Sequence, residues 1–111
     1  MDRKSLTNEY KQRPDVGGVF QIVNTTNGRC YLDATPNIQA KQNSFNFMVA
    51  TNMCFHHKLQ QDWDAFGGRS FTFEVLETIK KQEDQSREAF LDDLQALKQL
   101  WREKADTAAM Y

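Results

Sequence analysis

Between Gly18 and Asn24 the chain reads GVFQIVN, and between Arg29 and Asp33 it reads RCYLD. Both runs are rich in β-branched and aromatic residues, as strands are. Thr25-Thr26-Asn27-Gly28 lies between them. Asn-Gly tolerates positive φ at both positions, so the pattern predicts a β-hairpin. A third strand is predicted over SFTFEVLETI, Ser70 to Ile79. There the period is two, with Phe71, Phe73 and Val75 on one face and Thr72, Glu74 and Leu76 on the other.

Elsewhere the spacing is helical. Thr35-Pro36 reads as an N-cap followed by proline at the first helical position, predicting a helix from Pro36 to about Ala50. Ile38, Phe45, Met48 and Val49 form its apolar side; Gln39, Gln42, Asn43 and Asn46 form its polar back. A second helix is predicted from Phe55 to Phe66, with Phe55, Leu59, Trp63 and Phe66 at helical spacing and Gly67-Gly68 ending it. Glu83-Asp84-Gln85-Ser86 is a polar turn with capping chemistry. Beyond it a helix runs from about Arg87 to Lys104, where Phe90, Leu94, Leu97 and Trp101 repeat at intervals of four, three and four. A short helix over residues 2–12 would place Leu6 and Tyr10 on one side before Pro14 stops it. The tail ADTAAMY is expected to fray. The pattern therefore divides into an N-terminal extension (1–15), one domain (16–105) and a tail (106–111). The expected class is α+β: a small three-stranded sheet, made of the hairpin plus one strand, flanked by helices.

A chain of 111 residues fits one core. At 40% hydrophobic and 26% charged it has ordinary globular values, which argues against disorder. No apolar run is long enough to cross a bilayer. The opening MDRKSLTNEY lacks the apolar stretch of a secretory signal, so a cytoplasmic location is expected. Cys30 and Cys54 make no disulfide framework, which suits that compartment. The net charge of −1 argues against a protein whose main task is to clamp a long polyanion. Residues 1–15 carry four basic and three acidic groups, 16–73 four and three, and 74–111 six and nine, so no segment is a basic stripe.

Candidate chemistry is sparse. His56-His57 invites a metal or general-base reading. On a helix, however, neighbouring side chains diverge by roughly 100°, and Cys54-x-His56-His57 lacks the four-ligand spacing of a zinc site. One half-buried and one solvated histidine is the plainer expectation. Asp62 and Asp64, two apart, do not face each other on a helix. Cys30 reads as a small buried hydrophobe. Glu88, Asp92, Asp93 and Glu103 read as a solvated face of the last helix.

The order of elements, together with Gly18-Val19-Phe20, Asn27-Gly28, Tyr31-Leu32-Asp33, Asn37-Ile38 and the block Leu59-Gln60-Gln61-Asp62-Trp63 … Gly67-Gly68 … Phe71-Thr72-Phe73-Glu74-Val75-Leu76-Glu77, resembles the GIY-YIG nuclease family. The last block is the most specific match, and the resemblance is clearest over residues 16–79. It implies phosphodiester hydrolysis with one divalent metal: a helix glutamate holds the metal, tyrosine hydroxyls place or deprotonate the attacking water, and an arginine grips the phosphate.

Carried over position by position, that machinery is mostly replaced here. The first tyrosine is Phe20, which has no hydroxyl. The second survives as Tyr31. The glycine that follows it is Asp33, a carboxylate where a phosphate would approach. The arginine aligns with Lys41, which keeps charge and loses the planar fork. The histidine aligns with Phe45. The metal-binding glutamate aligns with Lys98, with Glu88, Asp92 and Asp93 as open alternatives. Tyr31 and Lys41 are thus the retained family positions; Phe20, Asp33, Phe45 and Lys98 are departures.

The resemblance then implies a nuclease-like domain with a largely lost site, serving as a non-catalytic module for nucleic acid or protein. The alternative is an active single-metal DNA endonuclease with rearranged residues. No cofactor is expected, or Mg²⁺ or Mn²⁺ if the domain is active. The expected partners are a weakly held nucleic acid or a protein, and no membrane. Self-association through Phe45, Phe47 or Phe55 is a further possibility, and the oligomeric state stays open.

Overall fold

The computed structural model describes residues 16–54, 56–105 and 109–111, so the short helix expected over 2–12 lies outside the described residues. The hairpin is formed by β1 (Val16–Asn24) and β2 (Cys30–Thr35), and β3 (Phe71–Lys80) pairs antiparallel with the other side of β1. The order is β2-β1-β3, which leaves β2 and β3 as edges. Among the described residues three α-helices flank the sheet: α1 (Ile38–Thr51), α2 (Gln60–Phe66) and α3 (Arg87–Lys104). The α+β class with a three-stranded sheet is as the pattern predicts. No helix among the described residues is long and apolar enough to cross a membrane.

Register assigns the two faces. Phe20 stands opposite Asp33 and Val75, and Ile22 opposite Tyr31 and Phe73, so these side chains share one face. On it Phe20, Ile22, Tyr31 and Phe71 form a core with Phe45 of α1, Trp63 of α2 and Leu59. Aromatic geometry organises this core: Phe20 stacks on Phe73 at 4.8 Å, Trp63 on Phe71 at 4.8 Å, and Phe45 meets Trp63 edge-on at 6.3 Å. On the other face Val19 and Leu32 are buried where α3 packs on β1 and β2, presenting its own buried Phe90 and Leu94.

Local chemistry sets the boundaries, and several differ from the sequence expectations. In the hairpin only Gly28 takes positive φ, at 77°. Asn27 instead uses its side chain, accepting from the Arg29 amide at 2.9 Å and donating to Asp62 at 3.0 Å. The first helix starts at Ile38 and is capped by Asn37, whose side chain accepts from the Ala40 amide. Thr35 cannot be that cap because it is still paired with Gly18 in the sheet. The predicted helix from Phe55 to Phe66 is shorter: His56 is extended, His57–Leu59 form a 3₁₀ turn, and only Gln60–Phe66 are α-helical. The residue that follows, Gly67, has φ 84° and ψ 154°, outside the left-handed helical well. In β3 a bulge at Leu76, opposite Val19/Phe20, shifts the register; Phe71, Phe73 and Val75 keep one face, yet Val75 is 44% exposed where Phe71 is buried. Two glycines in β1 are sterically required. A Cβ on Gly18 would lie 2.2 Å from the Glu77 carbonyl oxygen, and one on Gly17 would lie 2.5 Å from that of Thr35.

The tail does not fray at its end. Met110 bridges Cys30 in parallel at the outer edge of β2, and the Tyr111 amide donates to the Cys30 carbonyl at 2.8 Å. The Tyr111 hydroxyl donates to Asp62 at 2.6 Å and accepts from the fully buried Asn24 at 3.1 Å, while Arg29 lies 4.4 Å over its ring. The aromatic ring and its hydrogen bonds outweigh the entropy of ordering the residue.

Candidate functional site

Tyr31 and Asp33, two apart on β2, point to the same face, and the Tyr31 hydroxyl donates to Asp33 Oδ2 at 2.8 Å. Lys98 of α3 reaches round the outer edge of β2, and its ammonium pairs with Asp33 Oδ1 at 3.0 Å. Burial alone would raise the Asp33 pKa. The Ala34 amide, Lys98 and Tyr31 overcome it and hold the carboxyl below its ordinary value. Tyr31 moves the other way: burial, followed by its hydrogen bond and charge contact with Asp33, pushes its phenol far above the ordinary range. At neutral pH this chain of three groups is a protonated phenol, a carboxylate and an ammonium.

His56 covers Tyr31. The two rings stack at 4.6 Å, and His57 follows at 4.3 Å from His56, tilted by 31°. The expectation that the two histidines diverge fails because they precede the helix: His56 is extended (φ −150°, ψ 144°), and the chain turns only at His57. The His56 ring is fixed by the Lys58 amide, which donates to Nδ1 at 3.2 Å, so Nε2 carries the proton of the neutral ring. Cys54 Sγ donates to the His56 carbonyl at 3.0 Å, and burial pushes that thiol's pKa up. Burial also lowers the His56 pKa. His57, Lys58 and Lys41 push the same way, against the pull of Asp33.

These groups line a cleft of about 210 Å³ whose walls include Tyr31, His56, His57, Lys58, Lys98 and Arg102. Lys58 and Arg102 are both exposed. No segment of the sequence is a basic stripe, and it is the fold that brings Lys58 to the same cleft as Lys98 and Arg102 of α3. Lys98 and Arg102 are one helical turn apart, a spacing the sequence already displays; Lys58 and the stacked histidines carry no comparable signal.

Of the positions carried over from the resemblance, Tyr31, Asp33 and Lys98 come together. Lys41 of α1 is half-buried and near enough to His56 to influence its charge. Phe20 is fully buried beneath the sheet face, stacked on Phe73. Phe45 is 5% exposed, so it is core material and unavailable for self-association; Phe47 is exposed, and Phe55 lies outside the described residues. Of the open alternatives to Lys98, Glu88, Asp92 and Asp93 are exposed on α3, and Asp93 accepts from Gln85 at 2.6 Å.

A divalent cation does not fit this donor set. Among the described residues the cleft lining includes no Asp or Glu side chain. Asp33 beside it is already bound to an ammonium, a phenol and an amide. Hard cations need several free oxygens, and Lys58, Lys98 and Arg102 repel them. Among the described residues no three His, Cys, Asp or Glu side chains cluster as a metal site elsewhere.

No family model matches the sequence, and no curated protein sequence matches it. Solved structures do. The catalytic domain of the homing endonuclease I-TevI superposes with a TM-score of 0.61 at 19% identity, covering 86% of this chain and 95% of that one. A point mutant of the same catalytic domain gives 0.58 at 19% identity, covering 80% and 82%. Sheet order, the helices on both faces and this likeness agree: the chain has the GIY-YIG nuclease fold.

Proposed function

We propose that this domain is a nucleic-acid-binding module on a nuclease fold that does not cut its ligand. The observation that carries the reading is the Tyr31–Asp33–Lys98 chain of contacts, at 2.8 and 3.0 Å. Hydrolysis of a phosphodiester at neutral pH needs an oriented water, a metal held by a carboxylate and a cation on the phosphate. Tyr31 donates its hydroxyl hydrogen bond to Asp33 and stays protonated, so it has no basic oxygen with which to deprotonate water. On the family alignment, Phe20 removes the other hydroxyl and Lys98 replaces the metal-binding carboxylate.

Binding is a separate matter from cutting. Lys58 and Arg102 are exposed at the cleft and Lys98 lies within it, which concentrates positive potential on one part of a chain with net charge −1. Oligonucleotides labelled at one end, incubated with the protein and Mg²⁺ or Mn²⁺, test both halves. Retention of the label in a complex at low salt, with no cleavage product, is expected. Product that disappears in Tyr31→Phe, or absence of any complex at low salt, overturns the reading.

A further inference from the structure

The cleft carries more than charge. Tyr31, His56 and His57 form a column of three rings, at successive centroid distances of 4.6 and 4.3 Å, that climbs from the buried sheet face to the surface. Tyr31 at its base is 8% exposed, His56 is half-buried, and His57 at its top is exposed and lines the cleft. The column is held from below by the Tyr31–Asp33 hydrogen bond and from the side by the Lys58 amide on His56 Nδ1. These contacts hold the inner two rings in place, and His57, the outer ring, lines the cleft together with Lys58 and Arg102.

We infer that the cleft takes one unpaired nucleotide of a single-stranded nucleic acid, its base stacked on His57 and its phosphate held by Lys58 and Arg102. This rests on the reading of the domain as a non-cutting nucleic-acid binder and names the form of nucleic acid. Three observations favour a single strand over a duplex. At about 210 Å³ the cleft is smaller than the roughly 300–1,000 Å³ of a drug-sized pocket, so it has room for a single base, with sugar and phosphate at its mouth, and not for a base pair. A π-face flanked by cations is the arrangement that binds unstacked bases without reading their sequence; in a duplex that face of the base is already occupied. The chain's net charge of −1 leaves a small cationic patch, too little to track the closely spaced phosphates of a duplex.

The test is fluorescence anisotropy with the full chain and three ligands of equal length: an oligothymidylate, its duplex with oligoadenylate, and a deoxyribose-phosphate strand without bases. The oligothymidylate is expected to bind about tenfold more tightly than either of the others. His57→Ala is expected to abolish that preference, and His57→Phe, which restores a ring, to retain it. Because His57 is exposed, neither change disturbs the core. Equal affinity for all three ligands overturns this inference while leaving the nucleic-acid reading intact, as does a preference that survives His57→Ala. Failure of every ligand to bind at low salt overturns the nucleic-acid reading and this inference with it.

Discussion

Asp33 accepts hydrogen bonds from the Tyr31 hydroxyl, the Ala34 amide and the Lys98 ammonium, so its charge state governs three neighbours at once. Removing the carboxylate takes away two of the three causes that raise the Tyr31 pKa and leaves burial, the largest. Asp33→Asn should therefore move the phenol part of the way back toward its ordinary value of about 10. An ultraviolet titration of each protein, taken as a difference from its Tyr31→Phe counterpart, reads this directly; an unmoved or rising midpoint would contradict it. The same carboxylate bears on acid stability. The folded-state pKa of Asp33 is lowered, so its contribution is fully present above the unfolded value of about 3.9 and is lost as pH falls through the lower folded value. Wild-type stability should fall below about pH 4 more steeply than that of Asp33→Asn, as measured by urea midpoints across that range. Parallel slopes would mean that the ion pair contributes nothing. The site is legible in sequence where spacing alone decides: Tyr31 and Asp33, two apart on one strand, share a face, and Lys98 and Arg102 are one helical turn apart. It is illegible where two distant segments meet. Nothing near His56 announces that its ring will stack on Tyr31 of the distant strand β2.

The elements rest on a few local decisions, and those decisions mark where sequence reasoning succeeds. Asn-Gly in the hairpin, the aromatic period of two at Phe71 and Phe73 and the long apolar stripe of Arg87–Lys104 each agree with the final packing. The start of α1 falls two residues later than Pro36, because Thr35-Pro36 and Asn37 both offer capping chemistry and only sheet pairing excludes Thr35. The cap makes a clear prediction: Asn37→Ala should cost about 1 kcal/mol, and Asn37→Ser a few tenths. Equal losses in chemical denaturation would mean that the side-chain bond to Ala40 does not hold the helix start. The exposure of Val75 escapes period-two reasoning, which carries no information about the bulge or about how far α1 and α2 cover the sheet. The β1 glycines set a second limit. A methyl group at Gly18 would press on the Glu77 carbonyl and pry β3 from β1, so Gly18→Ala should destabilise the domain by roughly 1–3 kcal/mol. A methyl group at Gly28 would meet nothing within 4 Å, so the cost of Gly28→Ala is only that of positive φ. Urea midpoints of the two variants compare these costs, and a larger loss at Gly28 than at Gly18 would contradict the steric account.

For the whole molecule the decisive feature is the contrast between a weakly acidic chain and a locally basic cleft. Binding through Lys58, Lys98 and Arg102 neutralises at most about three phosphates. On a single strand that gives a slope of log K against log salt of about −2, and less if Lys98 stays paired with Asp33. Anisotropy at several salt concentrations measures it, and a much steeper slope would require a larger contact surface than this cleft. On the proposed reading the Lys98 ammonium, 3.0 Å from Asp33 Oδ1, leaves no site for a divalent cation beside Tyr31 and Asp33. Paramagnetic broadening of backbone amide resonances by Mn²⁺ tests that most directly. No saturable broadening is expected at Tyr31, Asp33 or Lys98 as manganese is added. Saturable broadening centred on those three residues would contradict the claim.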